Sequence, residues 1–158
     1  MSVLTDAMRQ RIQEYLPRYP SKQAVTLPAL HLVQDELRCV PTAAIVEIAE
    51  LLDLHPAQVQ DTLSFYGFFR QENNPLGQHR VWVCRSLPCM LRGGEELLAR
   101  LAERLHVQPG ATTADGRITL EFAECLGACE GAPCILVNDE CYLNITPDKA
   151  EEIMSRLP

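Results

Sequence analysis

The 158 residues include seven cysteines, and four of them form two close pairs: Cys84-x4-Cys89 in CRSLPC and Cys125-x3-Cys129 in CLGAC. Thirty-five residues separate the pairs. Thiolates are soft, anionic donors, and a pair spaced x3 or x4 reaches one metal from a single turn of chain. Four of them on two short loops match the needs of a [2Fe–2S] cluster, two sulfurs for each iron. A tetrahedral zinc site also takes four ligands, often x2 to x4 apart, so local spacing leaves zinc open. Neither pair is a CxxC knuckle, however, and the loops are rich in apolar and small residues (Leu87, Pro88, Leu126, Gly127, Ala128). Low solvent access and backbone N–H donors to sulfur suit an iron–sulfur cluster, whose potential they set. No C-x-x-C exists anywhere in the chain, which argues against thioredoxin-type dithiol chemistry. The x4-then-x2 spacing of plant-type ferredoxins is absent as well.

The elements that must position these loops divide into two halves. Up to about residue 70 the pattern is helical. Met8, Ile12, Tyr15 and Leu16 predict a first helix that stops at Pro17 and Pro20. Leu30, Val33 and Leu37 predict a second, with Pro28 at its start. Ile45, Ile48, Ala49 and Leu52 mark a third, and a fourth begins near His55-Pro56 and carries Val59 and Leu63 toward the aromatic run 65–69. Four short amphipathic helices read as a small bundle, followed by a polar linker over 71–78.

Beyond the linker the period changes. Residues 80–84 read as a strand that delivers Cys84, and Leu91, Leu97, Leu98, Leu101 and Leu105 as a helix. Residues 117–122 read as a strand with Ile118, Leu120 and Phe122 on one face, leading to Cys125. Residues 134–137 and 141–143 suggest a hairpin, and Thr146-Pro147 starts a last helix that buries Ala150, Ile153, Met154 and Leu157. The order β-α-β-β-β-α predicts a small layered sheet with both cysteine loops at one edge.

Bulk properties narrow the class. A net charge of −7 argues against nucleic acid and anionic membrane surfaces. No apolar run approaches the roughly 20 residues of a membrane span. The first twenty residues lack a continuous apolar core, and Asp6 and Glu14 among their arginines argue against a transit peptide, so a cytoplasmic bacterial protein is expected. An odd cysteine count without a signal peptide disfavours a disulfide framework.

The remaining chemistry-bearing residues read more plainly. Cys134 follows Gly131-Ala132-Pro133 and lies near Cys129 in the chain, which raises an alternative ligand role; its strand context favours a small buried core residue. Cys39 and Cys141 read the same way. His31, His55, His79 and His106 have no partner at metal-ligand or catalytic spacing, and His55 suits a helix cap. Arg85 and Arg92 beside the first pair read as solvated surface residues. Gly93-Gly94 lacks the context of a phosphate loop, and the chain shows no nucleotide site.

Taken together, CRSLPCMLRGGEELL, GATTADGRITLEFAECLGACEGAP, the TPDKAEEIM helix, LPALHLVQDEL, PTAAIVEIAELL and SFYGFF resemble the thioredoxin-like [2Fe–2S] subunits of NADH dehydrogenases. This is the family of the E subunit of NADH-quinone oxidoreductase, the bacterial respiratory complex I, and of its mitochondrial counterpart, flavoprotein 2. The resemblance runs from about residue 25 to the end. It implies an α+β protein with an N-terminal helical bundle (1–72), serving for docking, and a thioredoxin-like [2Fe–2S] ferredoxin domain (79–158). It implies one [2Fe–2S] cluster on Cys84, Cys89, Cys125 and Cys129, which match the family's ligands one for one. It further implies a partner flavoprotein carrying FMN, the NADH site and a [4Fe–4S] cluster, with further peripheral-arm subunits, the whole associated with the inner membrane. The chain would exchange single electrons with that FMN during NADH oxidation to quinone, and alone would be only an electron carrier. Arg38-Cys39 departs from the family's usual Gly and aromatic, and His55 from its Ser or Thr. The equivalent subunit of an NAD-linked hydrogenase or formate dehydrogenase shares the motif. A free-standing thioredoxin-like ferredoxin and a zinc-stabilised module are the readings from other classes.

Overall fold

The computed structural model describes residues 2–158. The chain divides into two compact units, one ending at Pro75 and one running from Leu76 to Pro158.

The first unit is helical. Helix α1 (Asp6–Tyr15) starts where the Thr5 hydroxyl accepts the Met8 amide at 3.2 Å, with Asp6 in the favourable first turn. Helix α2 (Thr26–Leu37) begins before the expected Pro28, continuing a 3₁₀ turn over Gln23–Val25. Pro28 is tolerated because the first four N–H groups of a helix have no intrahelical partner. Helix α3 (Thr42–Leu52) ends on Asp53 in the left-handed conformation. Helix α4 (Pro56–Phe65) is capped as expected by His55, whose ring accepts the Ala57 amide at 3.2 Å while the Gln58 side chain returns to the His55 amide at 2.9 Å. Ile12, Leu30, Val33, Ile48, Leu52 and Val59 fill the core between these helices. The aromatic run divides between inside and outside. Phe69 is buried and held by Gln34, which accepts the Arg70 amide and donates to the Phe68 carbonyl, whereas Phe65 is 79% exposed.

The second unit is a five-stranded sheet in the order β2-β3-β1-β4-β5, formed by β1 (His79–Cys84), β2 (Ala111–Thr112), β3 (Ile118–Ala123), β4 (Ile135–Val137) and β5 (Glu140–Tyr142). Strands β1 and β3 are parallel and the other pairs antiparallel. Alternation along the strands gives the sheet two different faces. Val81, Val83, Ile118, Leu120, Ile135 and Val137 pack against Leu97 and Leu101 of α6 (Gly94–Leu105) and Ala150 and Met154 of α7 (Pro147–Arg156). The opposite face carries a buried polar group: the Glu121 carboxylate accepts from the Arg80 guanidinium and, at 2.6 Å, from the Trp82 indole.

Other features of the second unit depart from expectation. Phe122 shares the alternation of Ile118 and Leu120 but is exposed, and the Arg85 guanidinium covers its ring at 3.7 Å. The hairpin strands begin and end at Ile135–Val137 and Glu140–Tyr142, which leaves Cys134 outside the strand proper. Strand β2 and a five-residue helix, α5 (Leu87–Leu91), are additional.

Candidate metal centre

Parallel pairing of β1 with β3 matches Cys84 with Ala123, so the two cysteine loops leave the sheet side by side. The ladder continues one step further, with the Arg85 amide donating to the Ala123 carbonyl at 2.9 Å. Arg85 also ties the loops through its side chain, which ion-pairs with Glu124 while lying over Phe122. The residue read as a solvated surface arginine is therefore a clasp between the two strands that lead into the site.

Cys84 ends β1 and is buried. Cys89 sits on α5, where Pro88 is placed in the first turn and costs no hydrogen bond. Helix α6 then packs close behind this loop. Gly94 is required there, because a Cβ would come within 2.8 Å of the Cys84 carbonyl and 2.9 Å of the Cys89 carbonyl. Cys125 and Cys129 lie on the second loop and are exposed. Gly127, at φ 73°, turns its amide onto the Cys125 sulfur at 3.3 Å.

The sulfurs of the two loops divide into a buried set, which Cys134 joins, and an exposed pair. The Ser86 amide of the first loop and the Leu126 amide of the second favour the anionic form of Cys84. Cys89 Sγ lies 3.8 Å from Cys134 Sγ. Cys84, Cys89 and Cys134 are all buried, with their sulfurs within 4.8 Å of one another. Ala132, Leu126 and Ala128 pack around them as a small separate core. On the open side Cys129 feels the charges of Cys125 and Cys84. Among the four cysteines expected as ligands, then, one loop supplies a buried pair and the other an exposed pair. Cys134, expected as a core residue, is indeed fully buried, but against the thiol of Cys89.

The electrostatics follow from this layout. Burial opposes ionisation of Cys84, yet the amides of Ser86 and Leu126 and the neighbouring thiols hold it below the ordinary thiol range. Burial and Cys84 push Cys89 up. Desolvation and the charges of Cys125 and Cys84 push Cys129 up, and burial beside Cys89 raises Cys134 strongly. Cys84 is thus the sulfur whose ionisation the surroundings favour, and ionisation of its neighbours is disfavoured until a cation compensates them. The donor set fits an iron–sulfur group: soft thiols on two loops, amide donors aimed at sulfur, and an apolar floor.

A family model described as thioredoxin-like [2Fe–2S] ferredoxin matches residues 12–158. The chain is 39% identical over 145 residues to the NADH-quinone oxidoreductase E subunit of Mycobacterium tuberculosis, covering 92% of this chain and 57% of that one. It thus spans little more than half the length of that relative. The corresponding E subunit of Escherichia coli is 33% identical over 154 residues, covering 97% of this chain and 91% of its own length. Among solved structures, an NAD+-reducing [NiFe]-hydrogenase in its H2-reduced state superposes with a TM-score of 0.70 at 26% identity, covering 84% of this chain and 23% of that one. A family match over nearly the whole chain means that this chain belongs to the thioredoxin-like [2Fe–2S] ferredoxin family.

Proposed function

We infer that the chain is the electron-transfer subunit of an NADH:quinone oxidoreductase, exchanging single electrons with the FMN of a partner flavoprotein. The observation that carries this reading is the parallel pairing of β1 with β3, which matches Cys84 with Ala123 and lets both cysteine loops leave the sheet side by side. Cys84, Cys89, Cys125 and Cys129 would hold a [2Fe–2S] cluster, which supplies reversible one-electron chemistry when bound. The chain's own residues do the rest. The amides of Ser86, Leu126 and Gly127 neutralise charge on sulfur, and Ala132, Leu126 and Ala128 keep water from the buried side. Cys125 and Cys129 keep the other side open toward a partner.

The surface around the first pair supports docking to another subunit. Leu87, Met90 and Leu91 of α5 are exposed beside the buried Cys89. The partner that fits is a flavoprotein carrying FMN, the NADH site and a [4Fe–4S] cluster, with the helical unit as a second docking element. No described helix is long and apolar enough to cross a membrane, so membrane association would come through the assembly.

The test is reconstitution of the purified chain. Two irons and two sulfides per chain are expected, with visible absorption and an EPR signal on dithionite reduction. Cys129→Ala should abolish or greatly alter that signal. A metal-free, reduced chain that stays colourless when supplied with iron and sulfide would overturn the reading, as would useful NADH oxidation by the chain alone. The likeness to an NAD+-reducing [NiFe]-hydrogenase favours one second reading, the equivalent subunit of such an enzyme. Co-purification with membrane quinone subunits or with a hydrogenase separates the two.

A further inference from the structure

Cys134 has no part in the four-ligand set, although it is the most deeply buried thiol at the site. It is held there by strand pairing. Strands β1 and β4 match Val83 with Ile135, and the Cys84 amide extends that ladder to the Cys134 carbonyl at 3.2 Å. Alternation therefore turns Cys84 and Cys134 to the same face of the sheet. Helix α5 brings Cys89 over them, so three different elements fix three sulfurs.

The spacing matches a metal polyhedron. A tetrahedral ion with metal–sulfur bonds of about 2.3 Å has neighbouring sulfurs about 3.8 Å apart. Cys89 and Cys134 already stand at 3.8 Å. All three sulfurs lie within 4.8 Å, so closing the remaining edges is a matter of small side-chain rotations. The pocket is apolar and offers sulfur alone, which selects soft or borderline cations over magnesium or calcium.

The geometry points to a mononuclear site for a thiophilic divalent cation, zinc above all, on Cys84, Cys89 and Cys134. It is distinct from the cluster site and exclusive with it, because both use Cys84 and Cys89. Binding is ligand exchange with no change of oxidation state: the three thiols release their protons as three metal–sulfur bonds form. Water or a thiol of the exposed pair completes the tetrahedron. The consequence is a competition during maturation, in which zinc that reaches the chain first blocks cluster assembly until it is removed. That competition rests on the four-thiol cluster set proposed above; the three-thiol site does not.

Cobalt(II), a spectroscopic stand-in for zinc, tests the site in the full chain stripped of metal and kept reduced. One cobalt per chain is expected, with thiolate charge-transfer bands that zinc displaces. Cys134→Ala and the closer-sized Cys134→Ser should weaken cobalt binding more than about tenfold and remove one thiolate from the spectrum. Both variants should still take up iron and sulfide and show the parent EPR signal, which also certifies their fold. Zinc preloading should slow cluster reconstitution in the parent and much less in the variants. Unchanged cobalt affinity and spectrum in a variant of native circular dichroism would overturn the site. Loss of the cluster EPR signal in such a folded variant would instead place Cys134 among the cluster ligands and overturn the four-thiol set.

Discussion

Gly94 lies so close to Cys84 that a methyl group at position 94 would stand 2.8 Å from the Cys84 carbonyl oxygen. The obstacle is backbone, not the tip of a flexible side chain, and the Cys89 carbonyl blocks the same space at 2.9 Å. Gly94→Ala must therefore push helix α6 away from the first cysteine loop. A cost of about 1–3 kcal/mol is expected from overpacking, and the displaced loop should hold less cluster. Thermal unfolding and iron content per chain measure the two effects. Gly93 is the control: it has open space but a φ of 88°, so Gly93→Ala should cost stability by backbone strain, about 1–2 kcal/mol, with less effect on iron content.

The sequence carries the local half of this site and hides the long-range half. The helical periods around Ile12, Ile48 and Leu101 are long and regular, and the structure keeps them. The strands ending at Cys84 and before Cys125 are legible because they alternate; His55 and Thr146 announce their helix starts by capping chemistry. Helix α5 escapes because five residues are too few to show a period, and its Leu87 and Leu91 face outward. Strand β2 escapes because Ala111–Thr112 is only two residues long and lies inside a turn-rich segment. The contact between Cys134 and Cys89 depends on β4 choosing β1 as its neighbour. That choice is set by packing across the sheet, and nothing in the local residues around position 134 encodes it.

The polar face of the sheet predicts a second outcome. Glu121 is nearly buried, and it receives the Arg80 guanidinium and the Trp82 indole, with Arg80 also lying 4.5 Å over the Trp82 ring. Glu121→Ala would strand a buried cation and an indole N–H without their acceptor. A loss of about 2–4 kcal/mol is expected in urea unfolding. Removing the cation as well, in Arg80→Met with Glu121→Leu, should recover much of that loss, because two apolar groups leave no uncompensated charge. A double variant as unstable as the single one would show that the ion pair itself contributes the stability.

Glu47 predicts a pH dependence in the helical unit. Burial alone would raise its carboxyl, but the amides of Val3 and Leu4, the Ser2 hydroxyl and the Arg9 guanidinium all favour the anion and hold it below the usual carboxylate range. A carboxyl depressed on folding contributes stability above its unfolded value, about pH 4.3, and loses it as pH falls through the lower folded value. Unfolding measured from pH 7 down to pH 3 should therefore show the first unit weakening at the acid end. Glu47→Gln should be less stable at neutral pH and should flatten this part of the profile.

Docking through the cysteine edge makes the final prediction. Leu91 is 74% exposed at the end of α5, and Leu87 is exposed at its start. Neither supports the sheet core, so replacing one with a charge should leave the unfolding midpoint within about 0.5 kcal/mol of the parent. If the edge meets a flavin-carrying subunit, a buried carboxylate at position 91 would lack a partner and its desolvation would weaken the assembly. Leu91→Glu is thus expected to keep the cluster spectrum of the isolated chain while losing co-purification with the flavoprotein. Arg92→Glu, one residue further on and also exposed, separates apolar docking from general charge repulsion. Equal loss from both variants would replace the apolar contact with electrostatic steering, and undiminished assembly in Leu91→Glu would move the interface away from this edge.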